Sequence, residues 1–169
     1  MPNEQLFQLI DPDRARERAD KLFNVMHQTL SEMLPRTAEV RHIGATAVPG
    51  CLTKGDLDIL VRLPVEDFAV ADSVLASKFR RNEGSARTAN FSAFEDASID
   101  PHLGLQLTTI DGPHDFFHSF VEALLSSPEL VGEYNDLKRQ HDGTDMELYR
   151  AAKDAFVERV LQDFRSQKR

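Results

Sequence analysis

The chain has 169 residues, of which 41% are apolar and 28% charged, so we expect residues 1–169 to form a single globular domain. A formal net charge of -8 argues against nucleic acid as a partner, because phosphate-rich ligands need a basic face. The only cysteine is Cys51, no apolar segment is long enough to cross a membrane, and the N-terminus lacks the basic segment of a secretory signal. Together these features predict a cytoplasmic protein.

The first half of the chain predicts one long helix and then two strands. Asp11 precedes a proline and is a suitable N-cap, and apolar residues at helical spacing continue from there to Pro35. Strands are predicted over 39–43 and 56–63, because both are short apolar runs. The loop between them, 44–55, is rich in glycine and proline.

The second half predicts a helix over 65–79, a turn or mobile loop over 82–89, and strands near 90–96 and 99–110. Three helices are predicted to follow, beginning at Asp111-Gly112-Pro113, at Ser127-Pro128-Glu129 and at Thr144, which forms a capping-box pattern with Glu147. This order predicts an α+β fold. It consists of an N-terminal helix, a small mixed or antiparallel sheet with one helical insertion, and a C-terminal bundle of about three helices.

The segment GDLDILV contains the most informative pair of side chains. Side chains two apart in a strand point the same way, so Asp56 and Asp58 project their carboxylates together while Leu57 faces the other side. Two like charges this close are costly unless a cation or a proton lies between them. Carboxylate oxygens suit Mg²⁺, which takes further ligands from water and substrate phosphates. The pair therefore predicts a metal-dependent phosphoryl or nucleotidyl transfer site.

The sequence HIGATAVPG followed by KGDLDILV resembles the GrpB-like (UPF0157) proteins of the nucleotidyltransferase superfamily, which have the DNA polymerase β-like fold. The later segment PELVGEYNDLKRQ resembles the C-terminal half of that family, and the resemblance spans roughly residues 15 to 165. It implies a nucleotidyltransferase-type sheet. It also implies Mg²⁺-dependent transfer of a nucleoside monophosphate from an NTP to an unidentified hydroxyl acceptor, either a small molecule or a protein.

The chain departs from the family pattern at three places. Many members keep only the second aspartate, after Lys-Pro and two apolar residues, whereas this chain reads Lys54-Gly55-Asp56-Leu57-Asp58, which is closer to the superfamily pattern. The family usually reads Gly-Ser-Thr where this chain has Gly44-Ala45-Thr46, so a serine contact to phosphate is missing unless Thr46 replaces it. The third superfamily carboxylate belongs on a later strand. We assign it to Asp100, which begins the predicted 99–110 strand and would also help to deprotonate the acceptor, with Glu95 and Asp96 as rivals.

Other residues near the motif are expected to bind the nucleotide. Small residues at Gly44 and Ala45 let backbone amides approach a phosphate. Lys54, Arg41 and His42 lie near enough in sequence to neutralise triphosphate charge. The alternative is that the glycines only form turns and that Asp-x-Asp is a solvated strand edge.

Several further side chains have two interpretations. His102 and Gln106 share a strand face and either line the same pocket as the aspartates or face solvent. His114 and His118 are four apart, but no cysteine or glutamate completes a zinc spacing, so a surface pair is favoured. We expect these remaining side chains to pack in the core: Phe116, Phe117, Phe120 and Cys51.

Two other classes of function compete with a transferase. The first is a nucleotide-binding module without chemistry, suggested by Ala45 and the uncertain third carboxylate. The second is a partner-binding domain with a vestigial pocket. GrpB-like domains are fused to dephospho-CoA kinases elsewhere, so the resemblance also allows a role near coenzyme A metabolism.

Overall fold

The structure is a computed structural model that describes residues 5–168. Within that range five α-helices form: α1 (Pro12–Met33), α2 (Val65–Lys78), α3 (Phe117–Ser126), α4 (Pro128–His141) and α5 (Met146–Gln167). Five strands form one sheet: β1 (Glu39–Ile43), β2 (Leu57–Leu63), β3 (Arg80–Arg81), β4 (Phe91–Asp96) and β5 (Leu103–Thr109). The predicted α+β fold, with its N-terminal helix and three C-terminal helices, is confirmed.

The sheet is mixed, with the strand order β1-β2-β5-β4-β3. β2 and β5 are parallel neighbours, and the remaining pairs are antiparallel. Parallel pairing places the first residues of β2 and β5 at the same edge of the sheet. Asp58 lies directly opposite Gly104, and Leu60 lies opposite Gln106. The topology therefore brings the Asp-x-Asp segment beside the beginning of a strand that is about 45 residues later in the chain.

The two faces of the sheet are covered by different helices. Apolar side chains of α1 and α2 pack with the odd-numbered residues of β2 and β5, including Ile59 and Leu105. The helices α3, α4 and α5 pack over the other face, where Leu60 of β2 is buried. Because side chains alternate along a strand, Asp58 and Gln106 lie on this second face. In residues 5–168 no helix has the length and apolar character needed to span a membrane.

Local sequence explains where two of the helices begin. The Asp11 carboxylate accepts hydrogen bonds from the backbone N–H groups of Asp13 and Arg14, so it caps α1 as the sequence predicts. The Ser127 hydroxyl accepts from the N–H of Leu130 and caps α4. The 82–89 segment contains no helix or strand, in agreement with the predicted loop.

The capping-box prediction at Thr144 was wrong by one residue. Asp145 is the N-cap of α5, and its carboxylate accepts from the N–H of Glu147 at 2.8 Å. The Thr144 hydroxyl instead donates to the carbonyl of His141, at the end of the preceding helix. Threonine and aspartate can both cap a helix, but the Thr144 hydroxyl is already bonded to the last turn of α4, so Asp145 caps α5.

Two predicted element boundaries also need correction. The helix expected from Asp111 begins only at Phe117, because residues 110–116 form consecutive turns after β5. The strand expected from residue 99 begins at Leu103. Asp100 therefore lies in the turn before β5 and does not begin the strand.

The segment Gln5–Ile10, which we call the N-terminal strap, connects two loops on one side of the molecule. The Phe7 N–H donates to the Thr144 carbonyl at 2.9 Å, and the Phe7 carbonyl accepts from the Gly143 N–H. At its other end the Ile10 N–H donates to the Thr53 carbonyl. The Phe7 ring stacks on Tyr149 with centroids 3.7 Å apart. The strap thus joins the α4–α5 corner to the glycine-rich loop.

We expect Phe7→Ala to lower the free energy of unfolding by about 3–5 kcal/mol, because the ring is 1% exposed and its removal leaves a cavity beside Tyr149. The matched control is Leu6→Ala on the same strap. Leu6 is 45% exposed, so its truncation should cost about 0.5 kcal/mol or less. Urea unfolding measures both values, and equal losses would show that the strap is not anchored through Phe7.

Candidate functional site

The Asp58 carboxylate occupies a gap between two glycines. A Cβ at Gly44 would lie 2.7 Å from Asp58 Oδ2, and a Cβ at Gly104 would lie 2.7 Å from Oδ1. Gly44 also has a φ of +78°, a left-handed conformation that other residues rarely adopt. Side chains at these two positions would displace the carboxylate, so both glycines make room for Asp58.

Asp56 lies just before β2 and faces the same pocket as Asp58. Its Oδ2 atom is 3.1 Å from Lys54 Nζ and 3.8 Å from His102 Nδ1. Lys54 also lines the pocket, whereas His102 bridges Asp56 and Glu95 at the edge of the sheet. The two carboxylates predicted from Asp-x-Asp therefore lie together, with a lysine beside one of them.

The pocket has a volume of about 370 Å³ and lies between the sheet and the C-terminal helices. Gly44 and Ala45 contribute backbone at its carboxylate end. The α3 helix and the turn before it contribute aromatic side chains, and α4 and α5 contribute tyrosines and lysines. The lining residues from these C-terminal elements include Phe116, Phe117, Phe120, Tyr134, Lys138, Tyr149 and Lys153. A pocket of this size and character is suited to a small organic ligand that carries charge at one end.

Burial raises the pKa of the Asp58 carboxyl, and the neighbouring Asp56 charge raises it further. The nearby Lys153, Lys54 and His102 side chains lower this pKa, without reversing the shift. An ionised Asp58 is therefore costly in the free protein. A cation bound between the two carboxylates would offset this cost, which is the property expected of a metal ligand pair.

Lys138 is almost completely buried, with 2% exposed, and it fastens the glycine-rich loop to α4. Its Nζ donates to the Leu52 carbonyl at 2.5 Å and lies 3.4 Å from Cys51 Sγ and 3.9 Å from the Tyr134 ring centroid. Burial, together with the nearby Lys153, lowers the pKa of Lys138 to about 8. Cys51 is buried in this contact.

Asn135, three residues earlier on α4, holds the same loop through two hydrogen bonds. Its Oδ1 accepts from the Leu52 N–H at 2.8 Å, and its Nδ2 donates to the Gly50 carbonyl at 2.9 Å. The backbone that leads to Asp56 is thus fixed by side chains about 85 residues away in sequence. This tertiary clamp positions the Asp-x-Asp segment.

Thr46 and His42 were predicted nucleotide-binding residues, but the structure places both outside the pocket lining. The buried Thr46 hydroxyl donates to the Asp56 carbonyl at 3.1 Å and lies 2.9 Å from His42 Nε2. The His42 ring stacks on Phe23 of α1, and burial lowers its pKa. These two side chains connect the glycine turn to β2, so Thr46 does not present a free hydroxyl in place of the family's serine.

Asp100 is also outside the pocket. It is 81% exposed and forms an ion pair with Arg18 of α1, the helix that covers the opposite face of the sheet. Its rivals do not line the pocket either: Glu95 approaches His102, and Asp96 accepts hydrogen bonds from Ser98. Asp100 was assigned to the site because the strand was predicted to begin at residue 99. The strand β5 begins at Leu103, and its positions on the pocket face near the aspartates are Gly104 and Gln106.

The carboxylate oxygens of Asp56 and Asp58 are the donors that this pocket offers to a Mg²⁺ ion. Within residues 5–168 there is no group of three or more His, Cys, Asp and Glu side chains that forms a metal site by itself. Two carboxylates with room for water and phosphate oxygens nevertheless fit Mg²⁺, which usually keeps several waters and takes few protein ligands. Asp56 and Asp58 are therefore the residues that would hold it.

Sequence reasoning missed the contribution of the C-terminal helices. Lys138, Lys153 and Tyr149 are far from the motif in sequence, although Tyr134 and Lys138 are four apart and so share one face of α4. The phenylalanines were expected to be only core, but Phe116 and Phe117 are partly buried and form a pocket wall.

The two histidines after β5 were expected to pair on one helix, and that expectation was wrong. His114 precedes α3 and stacks on Phe91, with ring centroids 4.7 Å apart. His118 lies within α3, with its Nδ1 3.5 Å from Asp115 Oδ1. Residues four apart share a helix face only when both are helical. His114 is outside α3, so the two imidazole rings do not face a common metal ion.

The mixed sheet and its helices are similar to the nucleotidyltransferase fold. The Cid1 poly(U) polymerase bound to MgATP is similar, with a TM-score of 0.51 at 11% identity over 76% of this chain and 42% of that chain. A cytoplasmic RNA terminal U-transferase is similar with a TM-score of 0.52 at 15% identity, over 78% of this chain and 38% of that chain. Identities this low indicate a common fold alone.

The closer relatives define the family. The model of the GrpB protein family matches residues 12–163. A UPF0157 protein of Vibrio cholerae serotype O1 is 32% identical over 155 residues, which cover 91% of this chain and 81% of that protein. The crystal structure of the conserved protein GrpB from Enterococcus faecalis has a TM-score of 0.70 at 19% identity, and the match covers 95% of this chain and 98% of that one. The chain belongs to the GrpB family.

We predict that Asp58→Asn raises the free energy of unfolding of the metal-free protein near neutral pH, because the pKa of the Asp58 carboxyl is raised in the folded state. The raised pKa means that the folded state binds the Asp58 proton more tightly than the unfolded state does. Stability is therefore lost as the pH rises from the ordinary carboxyl pKa of about 3.9 through the folded value. Asparagine does not ionise, so the variant avoids that loss.

Urea unfolding in a chelating buffer between acid and neutral pH measures the difference. It should shrink on acidification and disappear below about pH 3.9, where Asp58 is protonated in both states. Asp136→Asn is the control, because that side chain is 71% exposed and should show no such trend. A variant that is less stable than the parent at neutral pH would contradict the raised pKa.

Proposed function

We propose that this protein is a Mg²⁺-dependent nucleotidyltransferase that moves a nucleoside monophosphate from an NTP to a hydroxyl acceptor. The observation that carries the proposal is the position of Asp56 and Asp58 at one end of a pocket whose other walls are aromatic and cationic. The Cid1 polymerase, which shares the fold, has been crystallised with MgATP and with MgGTP. That likeness supports the class of reaction and leaves the acceptor open.

The charges in the pocket are arranged for a triphosphate. Lys54 and Lys153 line it, and their positive charge complements phosphate oxygens. Gly44 and Ala45 present backbone with little or no side chain, which allows a phosphate to approach closely. Bound Mg²⁺ would supply charge stabilisation on the transferring phosphoryl oxygens.

The aromatic wall is suited to the nucleoside. Phe116 and Phe117 stack on each other with centroids 4.5 Å apart, and both face the pocket. Base stacking on aromatic rings tolerates different bases, because every base has a π face. The wall therefore provides affinity for a nucleobase, with the triphosphate directed toward the carboxylates.

The acceptor contributes an oxygen that forms a new bond to the α-phosphorus, while the bond from that phosphorus to pyrophosphate breaks. The hydroxyl proton leaves with solvent or a pocket base. An acceptor on a small molecule or on a protein agrees with the net charge of -8, which gives little attraction for a polynucleotide.

One observation favours a second function, nucleotide binding without turnover. Ala45 has no hydroxyl, Thr46 donates its own to the Asp56 carbonyl, and none of the three proposed third carboxylates lines the pocket. A site with weakened catalysis and an intact cation pair would bind Mg-NTP and act as a sensor.

We expect that Mg²⁺ together with one or more NTPs raises the melting temperature, since a ligand at about 100 times its Kd adds roughly 2.7 kcal/mol to stability. In the double variant Asp56→Asn/Asp58→Asn the shift should disappear while the fold, checked by circular dichroism, is kept. Asp136→Asn removes an exposed carboxylate and should leave the shift unchanged.

Pyrophosphate release, measured with pools of candidate hydroxyl acceptors, separates the two functions. Release that needs both aspartates supports a transferase, whereas binding without release in every pool supports a sensor. If no NTP shifts the melting temperature of the unaltered chain, both proposals are wrong.

A further inference from the structure

The β5 strand presents an amide to the pocket at the place where a third acidic ligand would be expected. In the parallel register Asp58 pairs with Gly104, and Leu60 pairs with Gln106, so Gln106 follows Asp58 by one position on the same face. Gln106 lines the pocket together with Asp56 and Asp58. The superfamily resemblance placed an acidic residue on this later strand, but this strand has none on its pocket face.

The Gln106 amide lacks a partner for its acceptor. Its Oε1 atom is buried and receives no hydrogen bond from any residue in the described range 5–168. A buried acceptor without a partner is unfavourable, so a ligand that draws the amide oxygen into the pocket would satisfy it. The missing partner must be either a cation or a hydrogen-bond donor.

The position of the amide relative to Asp58 favours a cation. The Nε2 atom lies 3.8 Å from the point where a Cβ on Gly104 would be, and Asp58 Oδ1 lies 2.7 Å from that same point. The amide and the carboxylate thus border one small space, which is kept open by the absent side chain. A half-turn of the amide exchanges its nitrogen for its oxygen, and carbonyl oxygens are ligands that Mg²⁺ and Mn²⁺ accept.

We propose that Gln106 Oε1 is a third oxygen ligand of the cation site, beside Asp56 and Asp58. This rests on the proposed function, because it assumes that the aspartate pair binds a divalent cation. The ligand set then carries two negative charges instead of three, so one divalent cation neutralises it. The site of the nucleotide-free protein should accordingly hold one cation per chain.

The test titrates Mn²⁺ into the nucleotide-free full-length protein, with isothermal calorimetry and the electron paramagnetic resonance signal of free Mn²⁺ as readouts. Gln106→Leu should weaken Mn²⁺ binding roughly tenfold, because it removes one oxygen ligand. Gln106→Glu should tighten it by roughly tenfold or more, because it adds a negative charge. The same variant should melt lower than the parent in a chelating buffer, since its new charge repels Asp58, and Mn²⁺ should reverse that loss.

Matched controls are the carboxylates outside the proposed ligand set. Asp100→Asn and Asp136→Asn should leave Mn²⁺ affinity unchanged, since Asp100 pairs with Arg18 and Asp136 is 71% exposed and does not line the pocket. Asp58→Asn should abolish binding. Gln106→Glu is nearly isosteric, so it keeps the test valid if the leucine variant folds poorly.

The outcomes separate this inference from the proposed function. If Asp58→Asn loses Mn²⁺ but neither Gln106 variant changes the affinity, the amide is not a ligand and the aspartate site stands. If Gln106→Leu weakens ATP or UTP binding without changing Mn²⁺ binding, the amide accepts from the nucleotide and the inference is wrong. If even Gln106→Glu binds no Mn²⁺, both the inference and the metal-dependent function are overturned.

Discussion

The site depends on the close fit of the half-buried Asp58 carboxylate between Gly44 and Gly104. This contact requires the glycine turn after β1 and the parallel pairing of β2 with β5, because each glycine comes from a different strand end. Burial and the neighbouring Asp56 charge raise the pKa of the Asp58 carboxyl, so the ionised form of Asp58 is unfavourable in the folded protein. Few folds retain such a pair without use, since removing one charge would stabilise the ligand-free protein. The arrangement therefore marks the place where a cation is expected.

The C-terminal helices hold the loop that carries Asp56 in place and contribute most of the remaining side chains of the pocket. Asn135 and Lys138 fasten the loop before Asp56, and the N-terminal strap holds the α4–α5 corner against the same loop. Lys153 and Lys54 provide positive charge that acts on Asp58 from inside the pocket. The strand β2 and the loop before it thus supply the carboxylates and Lys54, while the C-terminal helices supply Lys153 and the aromatic wall. A ligand with an anionic group at one end and a planar ring at the other would match the lysines and the aromatic wall, respectively.

Local patterns in the sequence predicted the elements better than the site. Alternation placed Asp56 and Asp58 together, and Asp11 capped its helix, because both effects act over a few residues. The assignment of Asp100 depended on where a strand begins, and a difference of a few residues left it at the α1 side of the sheet. Lys138 reaches the loop beside the pocket through packing across 86 residues, which no local pattern contains, whereas the alternation along β5 had offered Gln106 as a pocket residue. The family resemblance fixed the fold but could not supply these contacts.

The most direct test is the crystal structure of the protein soaked with Mn²⁺ and a non-hydrolysable NTP analogue, with data collected to show the anomalous scattering of manganese. We predict one peak or a close pair of peaks between Asp56 and Asp58, at ligand distances of about 2.0–2.6 Å, with the triphosphate running toward Lys54. An analogue bound elsewhere, or a nucleotide in the pocket with no manganese at the two aspartates, would contradict a metal-dependent nucleotide site.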